Sequence, residues 1–61
     1  MKLKITDIGR KISFQTFTNS GKPTTKTGIV EIVYVEEEYC RVKTKKYNIS
    51  VFFDDITKIW K

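Results

Sequence analysis

Residues 28–35 read Gly-Ile-Val-Glu-Ile-Val-Tyr-Val, and this stretch decides the fold class of the chain. Six of its eight residues are β-branched or aromatic, the types that pack well on a pleated sheet. Apolar residues occupy both alternating sets of positions except at Glu31, a pattern typical of a strand covered on both faces for part of its length. We therefore predict a central strand over residues 29–35, opened by Gly28.

The composition of the whole chain agrees with this stretch. Isoleucine, valine and threonine supply 21 of the 61 residues, whereas alanine is missing and Leu3 is the single leucine. The strongest helix formers are therefore nearly absent, and we predict an all-β fold. No apolar run approaches the ~20 residues of a membrane span, and the N-terminus lacks a secretory signal, so we expect a cytoplasmic protein with no membrane partner.

Alternation of apolar and polar residues divides the chain into short elements. A long exposed loop is predicted over residues 18–27, which hold most of the turn-forming residues, and a single helical turn over residues 54–57. The predicted strands are residues 1–6 (a short strand or an extended arm), 11–17, 29–35, 39–44, 49–53 and 59–60.

The spacing of these elements resembles that of small SH3-like barrels of the Tudor and KOW kind. The segments that carry the resemblance are residues 8–14, 28–32, 41–44 and 51–59. The resemblance implies one domain over residues 1–61, folded as a five- to six-stranded SH3-like barrel. An OB-like barrel is the alternative, although it usually needs a longer chain. Such barrels carry many unrelated functions, so the resemblance says little about activity.

In a barrel this small, we expect one side-chain parity of each strand to face the core, unless bending of the strands lets both parities contribute. The residues expected there are Ile12, Phe14, Val30, Ile32, Cys40, Val42, Val51, Phe53 and Ile59. The opposite parity leaves an outer apolar row of Phe17, Ile29, Val33, Val35, Phe52 and Trp60. We expect Leu3, Ile5 and Ile8 to cover part of that row.

Catalytic chemistry finds little support in the residue inventory. The chain has no histidine, which removes the commonest general base and metal ligand. Cys40, the single cysteine, falls on the expected core face, where a thiol behaves as a small apolar group. Gly9, Gly21 and Gly28 are too scattered for a phosphate-binding loop. We therefore expect no enzyme activity, no metal and no cofactor.

One enzyme family on this fold invites comparison. Residues 28–33, 51–53 and 56–59 loosely resemble plasmid-borne type II dihydrofolate reductases. The glutamine and tyrosine with which that family contacts folate and nicotinamide are not at the matching positions, because the late strand reads Val51-Phe52-Phe53. This departure removes the chemistry that the resemblance would imply.

Charge points instead to a binding function. The net charge is +5, and residues 1–30 carry six basic side chains against one acidic one. Bases alternating with aromatic residues on one sheet face are typical of phosphate and base-stacking contacts, so we predict a nucleic-acid-binding surface. Its candidate residues are Arg10, Lys11, Lys22, Lys26, Tyr39, Arg41, Lys43, Lys45, Lys46 and Tyr47. The loop over residues 19–26 would add phosphate contacts.

Two other interpretations remain open. Lysine-rich strand edges also keep small β-domains from pairing edge to edge, so the basic face could serve solubility alone. Alternatively the outer apolar row, through Ile29, Val33, Val35 and Phe52, binds a protein partner or a second copy of the chain. In that case the protein is an interaction module or a small inhibitor of a host enzyme. Size and charge suggest an accessory protein of a phage or another mobile element.

Overall fold

Antiparallel strands account for most of the fold. A computed structural model describes residues 1–60, and its strands are β1 (Lys11–Phe17), β2 (Pro23–Tyr34), β3 (Tyr39–Lys43), β4 (Asn48–Phe52) and β5 (Ile56–Ile59). They form a single sheet in the order β4-β3-β2-β1-β5, with every neighbouring pair antiparallel. Within residues 1–60 the helical segments are two 3-10 turns, Ile5–Asp7 and Phe53–Asp55. The all-β prediction is confirmed, whereas closure of the sheet into a barrel stays a prediction.

The long strand β2 pairs with two neighbours in succession. Its first half pairs with β1 and its second half with β3, and Ile29 is shared by both ladders. Gly28 lies at the changeover, where β3 approaches closely. A Cβ atom on Gly28 would clash with Cγ1 of Val42 and would lie 2.8 Å from the carbonyl oxygen of Lys43. Glycine is therefore required here by the distance between two backbones.

One face of the sheet buries the core. Seven of the predicted core positions are buried as expected, and Leu3 and Ile56 complete the cluster. Ile59 is partly buried against it. The buried cluster consists of Leu3, Ile12, Phe14, Val30, Cys40, Val42, Val51, Phe53 and Ile56.

A β-bulge in β2 gives Ile32 and Val33 the opposite orientations from those predicted. Val30 pairs with Val42, but Ile32 pairs with Arg41, so Glu31 is the extra residue on β2. An extra residue reverses which side chains face the core. Ile32, predicted in the core, is therefore 45% exposed, and Val33, predicted on the outer row, packs against the core instead.

The predicted loop over residues 18–27 is also too long. Pro23 to Thr27 belong to β2, where the backbone pairs with β1 from Phe17↔Pro23 to Ser13↔Thr27. Threonine is a good strand former, and proline is tolerated at the first position of a strand. The connection is reduced to Thr18–Lys22, closed by a hydrogen bond of 2.9 Å from the Thr18 amide to the Lys22 carbonyl.

Of the two alternatives predicted for residues 1–6, the strand does not form: residues 1–4 lie outside any helix or strand, and Ile5–Asp7 is a 3-10 turn. The segment does not cover the outer row. The Met1 ammonium donates a hydrogen bond of 2.9 Å to the carbonyl of Phe53, and Leu3 is buried in the core. Ile5 and Ile8, which were expected to cover the outer row, are largely exposed. The segment therefore seals the core side of the sheet through Leu3.

Replacing Gly28 by alanine should destabilise the fold, because the added methyl group meets a buried side chain and a backbone carbonyl. Overpacking of this kind costs about 1–3 kcal/mol, a large part of the ~5 kcal/mol expected for so small a protein. Urea unfolding followed by Trp60 emission measures the loss. Gly21→Asn in the Thr18–Lys22 turn is the comparison for an added side chain without a clash, because no atom lies within 4 Å of an added Cβ. The φ of 85° at Gly21 adds some strain, which asparagine tolerates better than most residues. A Gly28→Ala variant as stable as the wild type would contradict the close approach.

Candidate nucleic-acid interface

The strand register assembles a row of side chains across the whole sheet. Lys11 pairs with Ile29, Ile29 with Lys43, and Lys43 with Asn48. At the other end the Trp60 amide donates a hydrogen bond of 2.9 Å to the carbonyl of Lys11. Ile12 and Val42 are the chain neighbours of Lys11 and Lys43, and both are buried in the core. The row therefore lies on the opposite, outer face of the sheet. We call Trp60, Lys11, Ile29, Lys43 and Asn48 the basic row.

A groove continues from the basic row. One cavity of about 330 Å³ lies between Lys11 on one side and Lys43 and Lys45 on the other, with Thr27 and Ile29 among its lining residues. A second cavity, of about 430 Å³, shares Thr27, Thr44 and Lys45 with the first. It adds Lys26, Lys46 and Tyr47. We call the two together the lysine groove, defined by Lys11, Lys26, Lys43, Lys45 and Lys46.

The turn between β3 and β4 presents two of these lysines. The Thr44 hydroxyl donates a hydrogen bond of 2.7 Å to the Tyr47 carbonyl, and the Thr44 amide donates to the same oxygen at 3.0 Å. Lys45 and Lys46 lie between these two anchored residues and are exposed. The Lys26 Nζ lies 3.4 Å from the Tyr47 hydroxyl oxygen, a long contact that links β2 to the turn.

The charge of the groove is not compensated by carboxylates. Among residues 1–60 the one ion pair joins Arg10 Nε to Asp7 Oδ1 at 3.1 Å, outside the groove. The Glu36–Glu38 run lies in the turn that joins β2 to β3, whereas Lys43–Lys46 follow the opposite end of β3. A five-residue strand, about 17 Å long, therefore separates the acidic from the basic turn. Glu31, on β2, is exposed and forms no ion pair within residues 1–60, and no carboxylate lines either cavity of the groove. The five lysines therefore give the groove a positive charge.

Several predicted binding residues lie elsewhere. Arg10 is held by Asp7 and lines a different cavity, and Lys22 ends the Thr18–Lys22 turn at the far tip of the β1–β2 hairpin. Arg41 is on the outer face, one row away from the basic row, between Ile32 and Ser50. The groove thus gathers Lys11, Lys26, Lys43, Lys45, Lys46 and Tyr47 of the predicted set.

Tyr39 belongs to a separate aromatic row at the other end of the outer face. Its ring stacks on Tyr34 with the ring centroids 4.6 Å apart, and it meets Phe52 edge-on at 6.3 Å. Its ring is therefore engaged by two neighbours, away from the lysine groove. We call Tyr34, Tyr39 and Phe52 the aromatic row.

The predicted partner-interface residues do not form one patch. Ile29 lies inside the basic row, between Lys11 and Lys43. Val35 is 50% exposed at the start of the Glu36–Glu38 turn, and Phe52 is 63% exposed in the aromatic row. Val33 packs against the core, as the bulge dictates.

Sequence reasoning missed Trp60 and Lys58 as members of the basic face. The half-buried Trp60 ring has Lys11 Nζ 5.2 Å and Lys58 Nζ 4.8 Å from its centroid. Lys58 pairs with Ser13 and Ile59 with Ile12. The alternation Lys58-Ile59-Trp60 was the available signal, because it puts the lysine and the tryptophan together on the face opposite Ile59.

Neither a metal-binding cluster nor a reactive thiol is found among residues 1–60. Residues 1–60 hold no group of three or more Cys, Asp or Glu side chains that could bind a metal ion. Burial raises the pKa of the Cys40 thiol to about 11, because the core disfavours the thiolate. The thiol is therefore protonated and shielded at neutral pH.

No helix within residues 1–60 is long and apolar enough to span a membrane.

Cys40 should resist thiol reagents in the folded protein at pH 8 and react rapidly in urea, because the reactive species is the thiolate. The raised pKa also predicts a pH dependence. Its contribution to stability is complete below the ordinary thiol pKa of 9.0 and is lost as the pH rises toward about 11. Urea titrations between these pH values measure the change in the free energy of unfolding. The control is Cys40→Ala, which has no thiol to titrate. Equal labelling rates with and without urea would show that β3 is not buried.

Comparison with known proteins adds no assignment, since no protein family, curated protein or solved structure gives a significant match to this chain.

Proposed function

We propose that this protein is a non-enzymatic module that binds nucleic acid through its phosphates, with low sequence specificity. The observation that carries the proposal is the lysine groove, whose five lysines come from three segments of the chain and line two adjoining cavities. None of the five forms an ion pair with a carboxylate among residues 1–60. Clustered uncompensated lysines attract a polyanion and release its counterions on binding. A lysine is a point charge without the planar fork of arginine, so it fits phosphate contacts better than base readout.

We further propose that the sheet closes into an SH3-like barrel of the Tudor and KOW kind. The strand order, the 3-10 turn Phe53–Asp55 before β5 and the changeover of β2 at Gly28 support this. Bulges in the β2–β3 and β1–β5 ladders supply the bending that a coiled sheet needs. In such a barrel the lysine groove would lie on a convex surface, reached by an extended strand of nucleic acid.

Binding should depend steeply on salt. With four to six phosphate contacts, log K should fall against log salt with a slope of about −0.7 to −0.9 per contact. Lys43→Glu should weaken the binding of every sequence alike and flatten the slope by about one contact. Anisotropy of labelled oligonucleotides, from low to physiological salt, measures both quantities.

The matched control is Lys2→Glu, which makes the same charge change on the core side of the sheet. Lys2 is exposed between the anchored Met1 and the buried Leu3. If Lys2→Glu and Lys43→Glu weaken binding equally, binding depends on the net charge of the protein and not on the lysine groove. If neither single- nor double-stranded oligonucleotide binds below about 100 μM at low salt, the proposed function is wrong.

A protein-interaction function is the second candidate, favoured by the exposure of Phe52 in the aromatic row and of Val35 and Ile32 beside it. An apolar interface tolerates salt, in contrast to phosphate binding. If this surface binds a second copy, sedimentation should detect dimers at micromolar concentration, and Phe52→Lys should abolish them without changing oligonucleotide affinity. A monomeric wild-type protein would exclude self-association through the aromatic row.

A further inference from the structure

We infer that the nucleic acid is single-stranded and crosses the strands of the sheet, with bases stacked on Trp60 at one end of its path and on Tyr47 at the other. This inference rests on the proposed function and deepens it. It adds Trp60 and Lys58, which the sequence did not place in the site. It also says in which direction the nucleic acid runs along the lysine groove.

The path follows from the order of the strands. Trp60 extends β5, Lys11 lies on β1, and Lys43 lies on β3 two strands further on. Adjacent strands are about 4.8 Å apart, so the path from Trp60 to Lys43 covers about 14 Å. The turn that holds Lys45, Lys46 and Tyr47 continues it. The whole path suits a short single strand of a few nucleotides.

The aromatic side chains mark the two ends of this path. Tyr47 is 51% exposed beside Lys46, and its hydroxyl reaches Lys26 while its ring remains accessible. Lys11 Nζ and Lys58 Nζ lie over the half-buried Trp60 ring, 5.2 and 4.8 Å from its centroid. A base that stacks on this ring takes the place of an amine, and the displaced lysine then pairs with a flanking phosphate. An aromatic ring stacks only on a base that is not already stacked in a duplex, so this arrangement favours a single strand.

The arrangement of charge agrees with one phosphate backbone. Lys11 and Lys43 flank Ile29 in one row, and Lys45 and Lys46 continue from Lys43 along the same turn. A duplex presents two backbones with a groove between them, and its major groove is read by an inserted helix or β-ribbon. Residues 1–60 hold no α-helix to insert, and Lys11 and Lys43 lie in one row across the sheet face and not at the tip of the β1–β2 ribbon.

Three probes of equal length test the inference on the wild-type protein: oligo-dT of eight nucleotides, a duplex of eight base pairs, and an eight-unit abasic oligomer that keeps the phosphates. Oligo-dT should bind at least about fivefold more tightly than either of the others and should quench the emission of Trp60, the single tryptophan. The abasic oligomer should show the same salt slope with no quenching.

Tyr47→Leu should weaken oligo-dT binding at least about fivefold and leave binding of the abasic oligomer and the salt slope unchanged. Phe52→Leu is the matched control, because Phe52 is an exposed aromatic side chain outside the groove, and it should change neither oligo-dT nor abasic-oligomer binding. If the duplex binds as tightly as oligo-dT without quenching, and Lys43→Glu still weakens both, the single-strand inference is wrong and the proposed function stands. If none of the three probes binds, both are wrong.

Discussion

The close approach of β2 and β3 at Gly28 is the constraint on which both the core and the basic face depend. There is no space for a side chain between the Gly28 Cα and the Lys43 carbonyl, so the two strands cross at a distance that only glycine permits. At this point β2 changes partner, pairing with β1 up to Ile29 and with β3 from Ile29 onward. The same approach packs Gly28 against the buried Val42 and places Lys43 beside Ile29, two strands away from Lys11.

The parts of the fold that were predicted correctly are those that local alternation specifies. The alternation of Cys40 and Val42 with their charged neighbours predicted the buried parity of β3, and the bounds of β1 matched residue for residue. The bulge at Glu31 could not be predicted in this way, because it is defined by the register of the partner strand. The threonines of residues 24–27 likewise carry both loop and strand propensity, and only the ladder with β1 selects the strand.

The candidate site also has a part that local sequence predicts and a part that depends on strand pairing. Lys45, Lys46 and Tyr47 are close in sequence, so one turn predicts their proximity. Lys11 and Lys26 join them only because β1 and β2 are neighbours in the sheet, which a linear pattern does not reveal. Arg10 was included in the predicted site for its charge, but its guanidinium is paired locally with Asp7 and lies outside the groove. A count of basic residues therefore does not reveal which of them are unpaired and on adjacent strands.

The lysine groove also carries a cost for the free protein. Five ammonium groups around adjoining cavities repel one another, and among residues 1–60 no carboxylate lies within ion-pair distance to offset that repulsion. A chain of 61 residues with a single cysteine has little stability to spare, so a purely solvating role would be better served by scattered lysines. Under the proposed function, a bound phosphate backbone removes the repulsion and stabilises the folded state by mass action. The proposal therefore links folding to binding, because the arrangement of charge that weakens the free protein is the one that favours a polyanion.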